Sequence, residues 1–268
     1  MPSDSSRDAP GPNIARPNIA RPDGRASRPP ELSVVMPAYN EAAFLEEAVR
    51  TVTDGLRGWG QPFEVCVVEN GSTDGTRTIA LRLAEEIPEL SIVWLPNPNY
   101  GEAIRTGFLE ATAPVAVLFD VDCFDLGFLK EALSILDLAE EPGGPVIVVG
   151  SKRAPGARDE RIWYRRLATD VFTRILRTTF GLRVTDTHGM KIMRRDLLDP
   201  LIRRCVFGVD LFDTELIIRA ERAGWQDAEV PVTVVERRPA RTSVLERVPR
   251  TLWGIVKLRI VFGRRTTT

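Results

Sequence analysis

From Leu32 onward, short apolar runs alternate with longer segments in which apolar residues recur every three or four positions. Leu32–Met36 reads as a strand, and Glu41–Val52 as a helix with Phe44, Leu45, Ala48, Val49 and Val52 on one face. The unit then repeats. Strand Phe63–Val68 precedes helix Thr73–Glu85, with Ile79, Ala80 and Leu83 facing inward; strand Leu90–Leu95 precedes helix Glu102–Ala111; strand Val115–Phe119 precedes helix Phe128–Leu138; and Val146–Val149 is a further strand. Strands that alternate with helices predict an α/β fold, a mostly parallel sheet with helices on both faces. In such sheets ligands bind at the carboxyl ends of the strands.

Beyond Gly150 the pattern changes. A polar loop, Ser151–Glu160, leads into a long helix in which Ile162, Trp163, Leu167, Val171, Phe172, Ile175 and Leu176 share one face, opposite a basic face of Arg161, Arg165, Arg166, Arg174 and Arg177. A loop containing Asp186–Lys191, a helix over Leu211–Arg222 and a strand near Glu229–Val234 complete a domain spanning 31–245. Residues 1–30 hold seven of the 20 prolines and a duplicated phrase, Pro12–Arg16 and Pro17–Arg21, and are expected to form a disordered or polyproline-like tail. Residues 246–268 mix Leu252, Trp253, Ile255, Val256 and Leu258 with Arg250, Lys257 and Arg259. That segment suits a helix lying on a membrane surface, and equally one packed on the domain or at a dimer contact.

Composition narrows the function. Thirty-six basic against 37 acidic residues leave a net charge of −1, so nothing global points to nucleic acid. Cys66, Cys123 and Cys205 lack C-x-x-C spacing, which argues against a disulfide framework or thiolate zinc site. No apolar run approaches the ~20 residues of a membrane span, and the amino terminus lacks the apolar core of a secretory signal. The expected location is the cytoplasm, with peripheral attachment to the inner face of the cell membrane through the carboxy-terminal segment.

Polar clusters end three strands and converge on one sheet edge: Pro37-Ala38-Tyr39-Asn40-Glu41, then Glu69-Asn70-Gly71-Ser72-Thr73-Asp74-Gly75, then Asp120-Val121-Asp122. Two carboxylates at i and i+2 leaving a strand can face one hard cation, and Mg²⁺ or Mn²⁺ commonly bridges such acids to a substrate diphosphate. No G-x-G-x-x-G follows the first strand, which disfavours a dinucleotide oxidoreductase.

These clusters resemble the inverting family 2 glycosyltransferases of the GT-A fold. The P-x-Y-N-E opening is Pro37, Tyr39, Asn40 and Glu41; the D-D-G-S-x-D-G-T turn is Glu69, Asn70, Gly71, Ser72, Asp74, Gly75 and Thr76; the N-x-G segment holds Asn99, Tyr100, Gly101, Ala103, Arg105 and Gly107; and the D-x-D is Asp120 and Asp122. The second half is similar to the polyprenyl-phosphate sugar transferases, in particular the dolichyl-phosphate glucose and mannose synthases. Gly150-Ser151-Lys152, Arg165, Arg166 and Thr169, Asp186-Thr187-His188-Gly189-Met190-Lys191, Phe212-Asp213-Thr214-Glu215-Leu216 and Glu229-Val230-Pro231-Val232 carry that likeness. Glu69 and Asn70 depart from the usual acidic pair, Lys152 from arginine, and Glu102 from a lysine or small residue.

The resemblance implies transfer of a hexose from a UDP- or GDP-linked sugar to a polyprenyl monophosphate, or alternatively to a soluble hydroxyl acceptor. It implies Mg²⁺ or Mn²⁺ on Asp120 and Asp122, with Pro37, Tyr39, Glu41, Glu69, Asn70, Gly71, Ser72, Asp74, Asn99, Gly101, Arg105 and Asp120 toward the donor nucleotide. Lys152, Arg153, Arg165, Arg166 and Thr169 would hold the acceptor phosphate; His188 and Lys191 would lie in a loop near the donor; and Asp122, Asp186 and Arg165 would act catalytically. A phosphate acceptor is largely a dianion near pH 7 and needs no strong base. A hydroxyl acceptor needs a carboxylate base, for which Asp186, Asp210 and Asp213 are candidates.

Overall fold

The computed structural model describes residues 18–20, 28–137, 144–160, 163–208, 211–234 and 244–263. The strands are β1 (Asn18–Ala20), β2 (Leu32–Ala38), β3 (Phe63–Asn70), β4 (Leu90–Leu95), β5 (Val115–Leu118), β6 (Pro145–Ser151), β7 (Arg158–Asp159), β8 (Lys191–Arg194), β9 (Gln226–Pro231) and β10 (Thr233–Val234). The helices are α1 (Leu45–Arg57), α2 (Thr76–Glu86), α3 (Tyr100–Glu110), α4 (Leu126–Asp137), α5 (Trp163–Phe180), α6 (Arg195–Arg204), α7 (Phe212–Arg222) and α8 (Val244–Gly263).

Eight strands form one sheet in the order β1-β4-β3-β2-β5-β8-β6-β9, and β7 pairs with β10 apart from it. Strands β2 to β5 run parallel, β6 and β9 likewise, while β8 inserts antiparallel between β5 and β6. In β2, Val34 and Met36 enter one core cluster and Val35 the other, which is why the strand is apolar without alternation. Leu45, Val49 and Val52 of α1, Leu83 of α2 and Phe128 of α4 cover the first face. Ile104 and Phe108 of α3, Ile202 of α6, Leu216 of α7 and Leu258 of α8 cover the second. Leu83 is fully buried, so truncating it to alanine costs about 2–5 kcal/mol.

Chain order explains where a ligand can enter. The chain moves outward from β2 through β3 to β4, then crosses back to place β5 on the other side of β2. Crossovers that diverge from one pair of neighbouring strands leave a crevice at their carboxyl ends. Here that crevice lies past Ala38 and Leu118, where the polar clusters stand.

The structure corrects three expectations. The tail contributes β1, whose three residues pair with Ile92–Trp94 on the otherwise open edge of β4; an edge strand's unpaired N–H and C=O groups attract such pairing. The rest of 1–27 lies outside the described residues. Lys191 opens strand β8, where a loop was expected, and α6 was not foreseen. On α5 the apolar stripe is split: Leu176 is buried and Phe172 and Ile175 pack on the core, but Trp163, Leu167 and Val171 face outward. The carboxy-terminal segment is α8, which buries Ile255, Leu258 and Phe262 against the domain, one of the arrangements expected for it.

Candidate active site

Backbone geometry brings the donor-side clusters together. Asn40 sits in the left-handed region (φ 54°), a conformation that asparagine's short amide tolerates. Its N–H donates to Ser72 Oγ (3.0 Å) and its Oδ1 accepts from Thr73 N–H (2.8 Å), joining the ends of β2 and β3. Glu41 N–H donates to Thr76 Oγ1 (2.7 Å). Gly71, at φ 68°, leaves about 3 Å between the place of a Cβ and the backbone of Asn97 and Pro98, so only glycine lets these turns touch.

Several expected donor contacts turn inward. Glu69 is buried and accepts Ser72 N–H at 2.6 Å. The Asn70 amide accepts Asn99 N–H at 2.8 Å, tying β3 to the start of α3, and Asn99 Oδ1 in turn caps Glu102 N–H. Burial pushes the Asp74 carboxyl up, but the hydroxyl and N–H of Thr76 and the N–H of Ala42 outweigh it and hold the group below its ordinary value. Pro37 is buried inside β2, paired with Val68. Gly101 packs on the backbone of Gly208, where a Cβ would lie 1.8 Å from the carbonyl oxygen. Arg105 is committed elsewhere, donating to the carbonyls of Ile202 and Arg203 and so capping the end of α6. Pro37 thus lies within β2, while Gly101 and Arg105 tie α3 to Gly208 and to the end of α6.

Asp120 and Asp122 follow β5 directly. The Tyr100 hydroxyl donates to Asp120 Oδ1 at 2.7 Å. Burial raises Asp120 above its ordinary value, and Asp122 nearby adds to this, against the opposing Tyr100 hydrogen bond and Lys191 charge. Burial likewise pushes the Tyr100 phenol well up, reinforced by the charge of Asp120. Two acids whose charges disfavour one another in a desolvated site suit a divalent cation. Among the described residues no group of three metal-binding side chains occurs. Tyr100 belonged to a legible motif, but nothing in the sequence marked it as the partner of Asp120.

On the other side of β5, two loops are locked together. Glu229 of β9 accepts the N–H of Thr185 (2.8 Å) and of Asp186 (3.1 Å), and also the Thr185 hydroxyl. Asp186 accepts His188 N–H (3.0 Å) and pairs with Lys152 Nζ at 3.0 Å, while Lys152 also donates to His188 O. Arg153 is ion-paired with Asp170 of α5. Helix α5 is fastened to this loop by the Thr173 hydroxyl on Thr185 O (3.1 Å) and by Phe172, whose ring meets that of His188 at 5.4 Å. Lys191, expected in a loop near the donor, is instead fully buried and pairs with Asp213 at 2.9 Å. Arg166 is exposed and Thr169 half-buried on α5; the Arg165 side chain and Asp210 lie outside the described residues.

The register puts both halves at one edge. Leu118 pairs with Lys191 and Lys191 with Val149, so the 186–190 and 151–154 loops border the end of β5 that leads into Asp120. Comparison with known proteins agrees with this architecture. An uncharacterized glycosyltransferase of Mycobacterium tuberculosis is 32% identical over 215 residues, covering 80% of this chain and 89% of that protein. An undecaprenyl-phosphate 4-deoxy-4-formamido-L-arabinose transferase of Enterobacter is 29% identical over 64% of this chain and 51% of its own. Glucosyl-3-phosphoglycerate synthase of M. tuberculosis, solved with Mn²⁺ and UDP-glucose, superposes with a TM-score of 0.61 at 22% identity, covering 86% of this chain and 79% of that one. The fold is thus GT-A. Residues 33–202 match the glycosyl transferase family 2 domain, and the chain belongs to that family of glycosyltransferases.

Proposed function

We propose that this protein transfers a hexose from a UDP- or GDP-linked sugar to a polyprenyl monophosphate at the cytoplasmic face of a membrane, using Mg²⁺ or Mn²⁺ held by Asp120 and Asp122. The observation that carries the acceptor class is the state of the candidate bases. Asp186 is buried beneath His188 N–H and the Lys152 ammonium, and Asp213 is buried against Lys191. Both carboxylates are thus engaged within the chain, whereas a general base must reach the proton it abstracts from the acceptor. An acceptor that brings its own negative charge needs none, and a phosphate monoester is such a group.

Held by Asp120 and Asp122, Mg²⁺ or Mn²⁺ would supply Lewis-acid stabilisation of the departing nucleoside diphosphate. The chain's own residues do the rest. Tyr100 fixes the rotamer of Asp120, the Glu69–Asp74 turn shapes the nucleotide side, and Arg165 and Arg166 supply positive charge for the acceptor phosphate. Asp186 orders the loop between the two substrates, a positioning role in place of proton transfer. The lipid acceptor is supported by the undecaprenyl-phosphate transferase among the relatives. A soluble acceptor is the second reading, favoured by the mycobacterial synthase, whose name sets its glucose on 3-phosphoglycerate.

The test is mass spectrometry of products after incubation with Mn²⁺, polyprenyl monophosphate and a panel of UDP- and GDP-sugars. A glycosyl phospholipid is expected, and Asp122→Asn should abolish it while leaving the circular dichroism spectrum unchanged. Donor hydrolysis without lipid product would transfer the assignment to soluble acceptors; undiminished turnover in Asp122→Asn would remove the metal site.

A further inference from the structure

Among the described residues, eight of the ten exposed large apolar side chains lie on just two helices, α5 and α8. On α5, Trp163, Leu167 and Val171 recur every four residues and are 51–65% exposed. On α8, Trp253, Val256 and Ile260 are 46–60% exposed. Each helix nevertheless has a separate inward stripe, Leu176 on α5 and Ile255, Leu258 and Phe262 on α8. The outer stripes are therefore second apolar faces, not misplaced core. The helices pack against each other, with the rings of Phe180 and Phe262 6.1 Å apart.

Charge selects the occupant. Exposed Arg166, Arg174 and Arg177 accompany the outer stripe of α5, and Lys257 and Arg259 flank that of α8. Lys257 Nζ lies over the Trp253 ring, 5.5 Å from its centroid. Among the described residues the acid beside them on α5 is Asp170, already paired with Arg153. A symmetric contact with a second copy would set these cations against one another. An anionic bilayer surface instead accepts apolar side chains below the headgroups and cations at headgroup level. No helix among the described residues is long and apolar enough to cross a membrane, so attachment through this surface would be peripheral.

We propose that the outer faces of α5 and α8 together dock the protein on an anionic leaflet. The inference rests on the lipid-acceptor reading for its purpose: α5 is fastened to the 185–188 loop at the acceptor side, so docking would hold the phosphate of a membrane-embedded lipid beside Asp120 and Asp122. It also assigns the exposed arginines of α5 to the leaflet as much as to the acceptor.

The experiment is co-sedimentation of the full chain, without donor or metal, with extruded vesicles of phosphatidylcholine alone or containing 30% phosphatidylglycerol. Binding is expected only to the anionic vesicles, weakening as salt rises, with quenching of tryptophan fluorescence by brominated lipid. Leu167→Ser on α5 and Val256→Ser on α8 should each lower the partition coefficient roughly tenfold, and the double variant should abolish binding. All three should keep wild-type activity on a short, water-soluble prenyl phosphate. That separates the two readings: loss of docking leaves soluble-phase transfer intact, and a wrong acceptor leaves vesicle binding intact. Equal binding to both vesicle types, indifference to either substitution, or a dimer in light scattering that the variants dissociate would overturn the proposal.

Discussion

Replacing Lys191 by methionine tests the electrostatic floor of the site. The Lys191 and Asp213 side chains are 1% and 4% exposed and their charged atoms lie 2.9 Å apart. Asp213 Oδ1 has no hydrogen-bond partner besides that ammonium. At an effective dielectric of 20 the attraction is about 6 kcal/mol, which desolvation of both ions largely offsets, so the intact pair contributes little compared with an apolar pair of the same size. Removing one partner is different. Lys191→Met leaves a carboxylate buried near Asp120 and Tyr100 with nothing to balance it, a loss of about 3–5 kcal/mol. For a domain of this size that corresponds to a fall in Tm of roughly 6–20 °C.

Urea unfolding followed by tryptophan fluorescence and far-ultraviolet circular dichroism measures the loss, provided the m values agree. The double variant Lys191→Met/Asp213→Leu removes both charges and should recover stability to within about 1 kcal/mol of the wild type. A loss below 1 kcal/mol in Lys191→Met would show that water or another cation reaches Asp213. A double variant as unstable as the single one would show that packing, not charge, sets the cost.

Other consequences can be checked alongside. Gly101→Ala places a methyl 1.8 Å from the Gly208 carbonyl oxygen; the expected destabilisation, about 1–3 kcal/mol or more, should accompany weaker nucleotide binding in calorimetry, because α3 must move away from the 205–208 loop. Asp227 is raised to about 6, first by burial and then by the neighbouring Glu221. The folded state therefore holds this proton more tightly than the unfolded chain, and stability falls as pH rises from about 4 to 6. Asp227→Asn should flatten that part of the stability–pH curve in chemical denaturation and be the more stable protein at pH 7. Glu229→Ala removes the oxygen that accepts the N–H groups of Thr185 and Asp186; the acceptor KM should rise more than the donor KM, whereas equal changes would make Glu229 a general structural residue.

The donor half was legible because two independent signals agree there. Apolar strands of five or six residues end in polar clusters, and parallel topology forces those ends to one edge, so the meeting of Asn40, Ser72 and Asp120 followed without coordinates. The acceptor half offered one signal where two were needed. On α5, a helical period shows which residues share a stripe but not which stripe meets the core, and Leu167 and Leu176 belong to different faces. Lys191-Ile192-Met193-Arg194 is too short and too basic to announce a central strand; it is one because Asp213 neutralises Lys191 and because β5 and β6 both need a hydrogen-bonding neighbour. Residues that carry a motif were likewise easier to find than what they touch. Arg105 and Gly101 sit in the donor motif, yet one caps α6 and the other admits Gly208.

The acids at the sheet edge divide by how many donors meet them. Glu69, Asp74, Asp186 and Glu229 accept backbone N–H groups or cations within the chain, so each holds a loop in place. Asp120 accepts the Tyr100 hydroxyl, and its environment on balance disfavours charge, since burial and Asp122 outweigh the Tyr100 hydrogen bond and the Lys191 charge. Folding alone leaves that position unfavourable. A ligand that relieves it gains affinity from the strain, and by linkage stabilises the folded state in proportion to ligand concentration over Kd. His188 N–H and the Lys152 ammonium on Asp186, and the Lys191 ammonium on Asp213, make both acids parts of the scaffold, which accords with the proposed acceptor, one that brings its own charge for attack.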